Sequence, residues 1–205
     1  MSSQRAGWIL AGCLGIIFAG GEAAGQVRTR PEPQAPSGGP VAKIREITGL
    51  GARSILKTPD ASRGRSVPRD WTELTVTFDT EPEWVDELGF NFYALLYDRK
   101  KDVYTLFKGS VVHTDIARGR NHLSGMFVRP AATARYGEVV AVAVECLHQG
   151  EVIDVKSDDR MLRTGAKLAK EWWKSPQLAV KEGYIVPRSQ TPFAFLSYDD
   201  YEPVK

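Results

Sequence analysis

The chain has few of the residues that build disulfides, metal centres and most catalytic sites. It contains 2 cysteines and 3 histidines among 205 residues. Cys13 lies in an N-terminal segment that we expect to be removed, so Cys146 would be alone in the mature protein and could form no internal disulfide. We therefore expect the fold to depend on its apolar core. Cys146 should be a small buried side chain within the apolar run at 139–147 (VVAVAVECL).

Motifs that carry enzyme chemistry are also missing. The chain has no Gly-x-Ser-x-Gly nucleophile elbow, no Gly-x-x-x-x-Gly-Lys phosphate loop and no Asp-x-Asp-x-Asp-Gly calcium loop. His113, Asp115 and His122 carry ligand atoms for zinc, but their spacing does not bring them to one point. The sequence thus predicts no cofactor, no metal and no catalytic residue, in a protein that is not an enzyme.

An excess of charge of either sign is absent as well. The chain has 27 basic and 25 acidic residues, for a formal net charge of +2. Acidic residues are interspersed among most of the basic groups, which is typical of a solvated surface and not of a nucleic-acid-binding stripe. We predict no nucleic-acid partner.

Long uncharged runs are rare, and the longest one lies at the N terminus, at 6–21 (AGWILAGCLGIIFAGG). Arg5 precedes it and small residues follow it as far as Gly25, which is the layout of a secretory signal peptide at 1–25. A membrane anchor would need roughly 20 apolar residues. We expect an extracytoplasmic protein, whether periplasmic, secreted or on the cell surface. It would contact a membrane only if the segment stays uncleaved or if Cys13, in a lipoprotein-like Leu-Ala-Gly-Cys box, is lipidated.

Residues 26–40 (QVRTRPEPQAPSGGP) are rich in proline and glycine, and they predict a disordered tether. After the tether, apolar residues recur with the period of two that is typical of strands. We predict strands at 41–48, 72–79, 90–97, 103–114, 122–129, 139–147 and 152–155. Without helices of 10 to 15 residues between them, these strands favour an antiparallel β-sandwich at 41–157. The order of the strands resembles the immunoglobulin and fibronectin type III architecture, with Tyr136 near the corner before the penultimate strand.

The residues at 158–205 differ from the sandwich in their pattern. Asp158 and Asp159 could cap a helix that runs to about Trp173, and apolar runs at 184–186 and 193–198 predict short strands. Large apolar side chains are dense here, as they are not in disordered tails, so we expect the extension to dock on the sandwich.

Aromatic side chains are the remaining candidates for a binding site. Adjacent residues on a helix point in different directions, so we expect Trp172 or Trp173 to be partly exposed. The candidate partner- or sugar-binding aromatics are Trp84, Trp172, Trp173, Tyr184, Tyr198 and Tyr201.

The sequence therefore favours an exported, noncatalytic β-sandwich module that binds a protein or glycan partner or serves as an accessory cell-envelope component. One alternative is a carbohydrate-binding module, which would need two or three exposed aromatics in a coplanar row. A further alternative is a secreted hydrolase, which would need a pocket with paired carboxylates or converging histidines.

Overall fold

Two long antiparallel strands organise the fold. The computed structural model describes residues 40–59, 68–162, 168–196 and 198–205, all within the unit formed by residues 35–205. The predicted signal peptide, Cys13 and the tether up to residue 39 lie outside the described residues. The strands are β1 (Ala42–Thr48), β2 (Ile55–Lys57), β3 (Asp70–Asp98), β4 (Val103–Val128), β5 (Glu138–His148), β6 (Glu151–Asp158), β7 (Val180–Lys181) and β8 (Ile185–Pro187). One α-helix of the described residues, α1, spans Pro130–Tyr136, and short 3₁₀ turns lie at Ala52–Ser54, Trp172–Lys174, Arg188–Gln190 and Tyr198–Asp200.

The eight strands form a single sheet around the β3–β4 hairpin. β3 and β4 pair from Thr72 opposite Val128 to Asp98 opposite Val103. On its other edge, the first half of β3 pairs with β1 and β2 and the second half pairs with β5, which in turn pairs with β6. β8 and the short parallel strand β7 lie on the outer edge of β4. The hairpin therefore belongs to both halves of the sheet.

The two halves of the sheet share one apolar core. The β3–β4 register shifts between Phe78 and Trp84, and the sheet beyond this point belongs to the second half. Buried side chains of the first half, such as Ile44 and Val76, form one cluster with Phe92 and Val144 of the second half. Alternating apolar residues on each strand place these side chains on the same face. The halves thus pack against each other across this cluster.

The mainly β, antiparallel fold predicted from the sequence is confirmed, but two predicted breaks in the strands are wrong. Residues 81–89 lie inside β3 and residues 115–121 lie inside β4. The chain accommodates irregular pairing there without ending the strands, because Asp115 (φ 55°) and Asn121 (φ 62°) adopt left-handed backbone conformations. Such a local change of conformation leaves little trace in the hydrophobic pattern.

The segment before β5 forms α1, where the sequence suggested a corner like that of immunoglobulin folds. Pro130 occupies the start of the helix, where its missing N–H leaves no hydrogen bond unmade. Gly137 ends the helix with φ 92°, and a Cβ at this position would lie 1.9 Å from the carbonyl oxygen of Tyr97. Tyr136 packs its ring against the rings of Phe107 and Tyr184, with centroids 5.2 and 5.8 Å away. The helix and Gly137 together bring the chain close to the end of β3.

The predicted helix from Asp158 to Trp173 is wrong at both ends. Asp158 is the last residue of β6, where it pairs with Val142, and Trp172–Lys174 form a 3₁₀ turn. Pairing with β5 uses the backbone groups that the start of a helix would need. Residues 163–167, in the middle of this stretch, lie outside the described residues.

The strand predicted at 193–198 is also wrong in its described part, which forms turns closed by hydrogen bonds from Ala194 N–H to Thr191 O and from Leu196 N–H to Phe193 O. The strand predicted at 184–186 corresponds to β8. Among the described residues, no helix has the length and apolar character needed to cross a membrane.

Candidate binding surfaces

Trp172 and Trp173 are both buried, with exposed fractions of 1% and 6%. The expectation that one of them would be exposed is wrong, because it assumed a helix. The 3₁₀ turn instead sets the two rings at 88° to each other, with centroids 5.5 Å apart. Both pack against the second face of β3 and β5, beside Leu95 and Ala143. This contact explains why the sequence of β3 at 90–97 is apolar on both faces.

A buried carboxylate holds the tryptophan pair against the sheet. The exposed fraction of Glu145 is 5%, and its oxygens accept hydrogen bonds from the hydroxyl of Tyr93 at 2.9 Å and from Nε1 of Trp173 at 3.1 Å. Nζ of Lys174 lies 3.9 Å from Oε1. Burial, together with the hydrogen bond to Glu145, raises the pKa of Tyr93. Protein donors occupy both oxygens, so Glu145 anchors the segment to β5.

Two of the candidate tyrosines also contribute to packing. Tyr184 is partly buried against Phe107, with ring centroids 5.2 Å apart. The hydroxyl of Tyr201 donates a hydrogen bond to Oε1 of Glu73 at 2.6 Å, and the guanidinium of Arg188 lies 4.3 Å from its ring centroid. Burial raises the pKa of Tyr201. The side chain of Tyr198 lies outside the described residues.

Trp84 is the exposed member of the candidate set in the part of the chain that the structure describes, with 61% of its surface accessible. It lies on β3 opposite Ala117, next to the irregular pairing. The exposed carboxylates of Glu83 and Asp86 are its neighbours in sequence. The structure therefore does not bring the described candidate aromatics into one exposed row.

Sequence reasoning missed the most exposed aromatic of the described chain. Phe195 is 92% exposed, although its apolar surroundings in sequence predicted that it would be buried. The turn that begins at Phe193 directs Phe193 inward, where its ring stacks on Phe127 with centroids 5.5 Å apart. Phe195 points away from that contact. Leu196 and Val204 are also half exposed.

A pocket of about 390 Å³ lies beside Phe195. Its lining includes the uncharged residues Ala194, Phe195, Tyr201 and Val204 and the positively charged residue Arg188. We call these five residues the Phe195 surface. All of them belong to the C-terminal segment, so the surface depends on how that segment docks.

Beneath the same pocket, His113 connects the sheet to the last residues of the chain. Its Nδ1 lies 3.0 Å from the carbonyl oxygen of Pro203, and its Nε2 lies 2.7 Å from Oγ of Ser124. The carbonyl can only accept, so Nδ1 carries the proton and Nε2 accepts from the Ser124 hydroxyl. Burial lowers the pKa of His113. Ser124 is fully buried, so no substrate reaches its hydroxyl in this arrangement.

The other histidine considered for a metal is engaged in the same region. Nδ1 of His122 lies 2.5 Å from Oε1 of Glu202, and its Nε2 lies 3.1 Å from the hydroxyl of Thr80. The described residues contain no group of three or more His, Cys, Asp or Glu side chains that could hold a metal ion. The absence of a metal stays a prediction, which metal analysis of the purified protein would test.

Together, the sheet and the exposed surfaces define a mainly β protein with one many-stranded sheet and a docked C-terminal segment. A protein-family model matches residues 52–205, and the chain belongs to the family that this model defines. No curated protein matches the chain. A crystal structure of a protein from Akkermansia muciniphila has a similar fold, with a TM-score of 0.63 and 16% sequence identity over 80% of this chain and 92% of that chain. At this identity, the likeness concerns the fold.

Proposed function

We propose that the protein is an exported, noncatalytic β module that binds another protein through the Phe195 surface, as an accessory component of the cell envelope. The single observation that carries the proposal is the 92% exposure of Phe195 beside the pocket of about 390 Å³. The family membership and the fold are compatible with such a component.

The energetics of an exposed phenylalanine favour binding over a structural role. A side chain that is almost fully accessible adds little to folding, whereas its burial by a partner would contribute about 1.5 to 3 kcal/mol. Exposed aromatics next to a pocket are frequent anchors of protein interfaces. Val204 adds apolar area at the same pocket. The guanidinium of Arg188 at its margin is engaged within the fold, by the carbonyl oxygen of Phe193 and the ring of Tyr201. A protein surface with an apolar side chain for the pocket would complement it.

The finer architectural assignment belongs to the same proposal. We infer an immunoglobulin or fibronectin type III-like sandwich, since antiparallel pairing dominates and the two halves of the sheet face one apolar core. An experimental structure would test this assignment through the connections between strands. N-terminal sequencing of the native protein would test export, with cleavage expected between Gly21 and Gln26.

Site-specific photocrosslinking in the native cell envelope tests the partner surface. A photoreactive phenylalanine analogue at position 195 should form one dominant covalent adduct with a protein, and the same analogue at position 84 should not. Phe195→Ala should reduce recovery of that protein by about tenfold, while Trp84→Ala should leave it unchanged. Trp84 is the matched control because it is also an exposed aromatic, with 61% of its surface accessible.

The opposite pattern would change the proposed site. Loss of partner recovery in Trp84→Ala alone would place binding at the bend of the hairpin. Unchanged recovery in both variants would show that neither aromatic surface binds the partner. Retained melting temperatures in both variants are the control for folding.

A further inference from the structure

A second surface of the protein, separate in its residues from the Phe195 surface, has an excess of cations. It is an open groove of about 990 Å³ between the turn that joins β3 to β4, the helix α1 and the start of β3. Its ionisable lining residues are Arg69, Arg99, Lys100, Lys101 and Arg135 against Asp70, Asp98 and Glu138. We call it the basic groove.

Ion pairs between lining residues neutralise some of the positive charges of the basic groove. Nζ of Lys101 lies 2.9 Å from Oδ2 of Asp98, and Arg99 pairs with Glu138. The side chain of Lys101, with the backbone N–H groups of Lys100 and Lys101, holds the pKa of Asp98 below its usual range. Two of the five cations are therefore paired with two of the three carboxylates.

Three cations remain available in the basic groove. Arg69, Lys100 and Arg135 are exposed, and none of them forms an ion pair with another described residue. The guanidinium of Arg135 lies over the ring of Tyr136, 5.2 Å from its centroid, which restrains the arginine without neutralising it. One carboxylate, Asp70, is left to oppose three positive charges. The groove thus attracts anions.

The shape and chemistry of the lining favour an extended ligand with several negative charges. The cations stand on three separate elements around a groove of about 990 Å³, a volume much larger than a single small anion fills. β3 and β4 pair with each other as far as the turn, so the groove offers a ligand side chains more than a free strand edge. Pro130, Ala131 and Ala134 add small apolar side chains on which a sugar ring can lie.

We propose that the basic groove binds an acidic polysaccharide, with Arg69, Lys100 and Arg135 contacting carboxylate or sulfate groups along the glycan chain. The ligand class is thus a polymer with repeated negative charges at the spacing of its sugar units. This site is independent of the aromatic row that a carbohydrate-binding module would need, and it is independent of the protein partner proposed above.

Calorimetric titration of the purified full chain with heparin and with polygalacturonate tests the proposal, with neutral dextran as the reference. Both acidic glycans should bind and dextran should not. The triple variant Arg69→Gln, Lys100→Gln, Arg135→Gln should weaken binding at least about tenfold. It should also lower the slope of log K against log salt concentration by about 2, counting roughly 0.7 per neutralised charge on a single-stranded polyanion.

A matched triple variant separates the groove from net charge. Lys43→Gln, Arg53→Gln and Lys170→Gln remove three exposed cations that do not line the groove. This control should keep the affinity of the wild-type protein within about twofold, because exposed charges that do not contact the glycan are screened by salt. Circular dichroism melts of both triple variants serve as the control for folding.

Three results would overturn the proposal. Equal weakening in both triple variants would show that net charge alone attracts the glycans, and binding no tighter than that of dextran would show that no site exists. Groove-dependent binding to anionic lipid vesicles or to single-stranded DNA, without binding to the acidic glycans, would assign the groove to another class of ligand. Phe195→Ala should leave glycan binding unchanged, so failure here and failure of the partner surface can be told apart.

Discussion

Replacing each tryptophan of the 172–173 pair by phenylalanine separates a buried hydrogen bond from the burial of a ring. The two side chains are neighbours in sequence, are both buried and pack in the same apolar cluster. They differ in one respect. Nε1 of Trp173 donates to Oε1 of Glu145 at 3.1 Å, whereas Nε1 of Trp172 is buried without a hydrogen-bond partner among the described residues.

The magnitude of the difference follows from this asymmetry. Either substitution removes a similar part of a ring and leaves a small cavity, which costs about 1 to 2 kcal/mol. In Trp173→Phe, the carboxylate of Glu145 also loses a donor, which costs about 1.5 to 3 kcal/mol for a bond to a charged group. In Trp172→Phe, an unsatisfied buried donor is removed, which offsets part of the cavity term. We therefore expect Trp173→Phe to be less stable than Trp172→Phe by about 2 to 4 kcal/mol.

Urea unfolding at pH 7, followed by far-ultraviolet circular dichroism, measures both variants without relying on tryptophan fluorescence. The midpoint should fall further for Trp173→Phe, with an unchanged slope against urea concentration. The double variant Trp173→Phe, Glu145→Gln should be less destabilised than the sum of the single variants, because the two groups interact. Equal destabilisation by the two phenylalanine substitutions, or a larger effect at Trp172, would refute the role assigned to Glu145.

Three further predictions concern pH, thiol chemistry and backbone geometry. Burial lowers the pKa of His113 below the ordinary histidine value of about 6.5, so on acidification the unfolded chain takes up a proton that the folded chain does not. The free energy of unfolding should therefore fall as pH drops below about 6.5, and His113→Asn should show a shallower pH dependence in urea titrations. Burial raises the pKa of Cys146 to about 12, so a thiol reagent should label it slowly in the native protein and rapidly in urea. Gly137→Ala should lower the free energy of unfolding by about 3 kcal/mol, because the added Cβ would meet the carbonyl oxygen of Tyr97. Gly150→Ala should lower it by about 1 kcal/mol, because the space around Gly150 is open and only the positive φ is unfavourable. Thermal melts of the two variants measure the difference.

The hydrophobic pattern predicted those parts of the fold that depend on local sequence. The period of two located β1 and β5 within one residue at each end. The turn between β5 and β6 could also be predicted from the sequence, because Gln149 (φ 52°) and Gly150 (φ 83°) adopt the left-handed conformations that such a turn requires. The continuity of β3 through residues 81–89 could not be predicted from the sequence, since the charged, exposed side chains of this segment have the composition of a loop.

The candidate site was less predictable, because its burial depends on contacts between distant parts of the chain. Trp172 and Trp173 are covered by side chains of β3 and β5, and their donor–acceptor partner Glu145 lies in an apolar run without an unusual composition. One signal was available: Glu145 lies on the face of β5 opposite Cys146, and a carboxylate among small apolar residues requires a buried partner. Phe195 gave no such signal, because an apolar side chain in an apolar stretch predicts burial whether the side chain is in fact buried or exposed.

The C-terminal residues determine whether the Phe195 surface exists as a formed pocket. The backbone N–H of Glu202 bonds to the carbonyl of Leu123, and that of Lys205 bonds to the carbonyl of Val112. These bonds place the lining residues Tyr201 and Val204 in a set position on β4 before any partner arrives. A surface ordered in advance loses less conformational entropy when it binds. Binding at Phe195 should therefore depend on the attachment of the last residues to β4, and it should be lost when they detach even if the sheet remains folded.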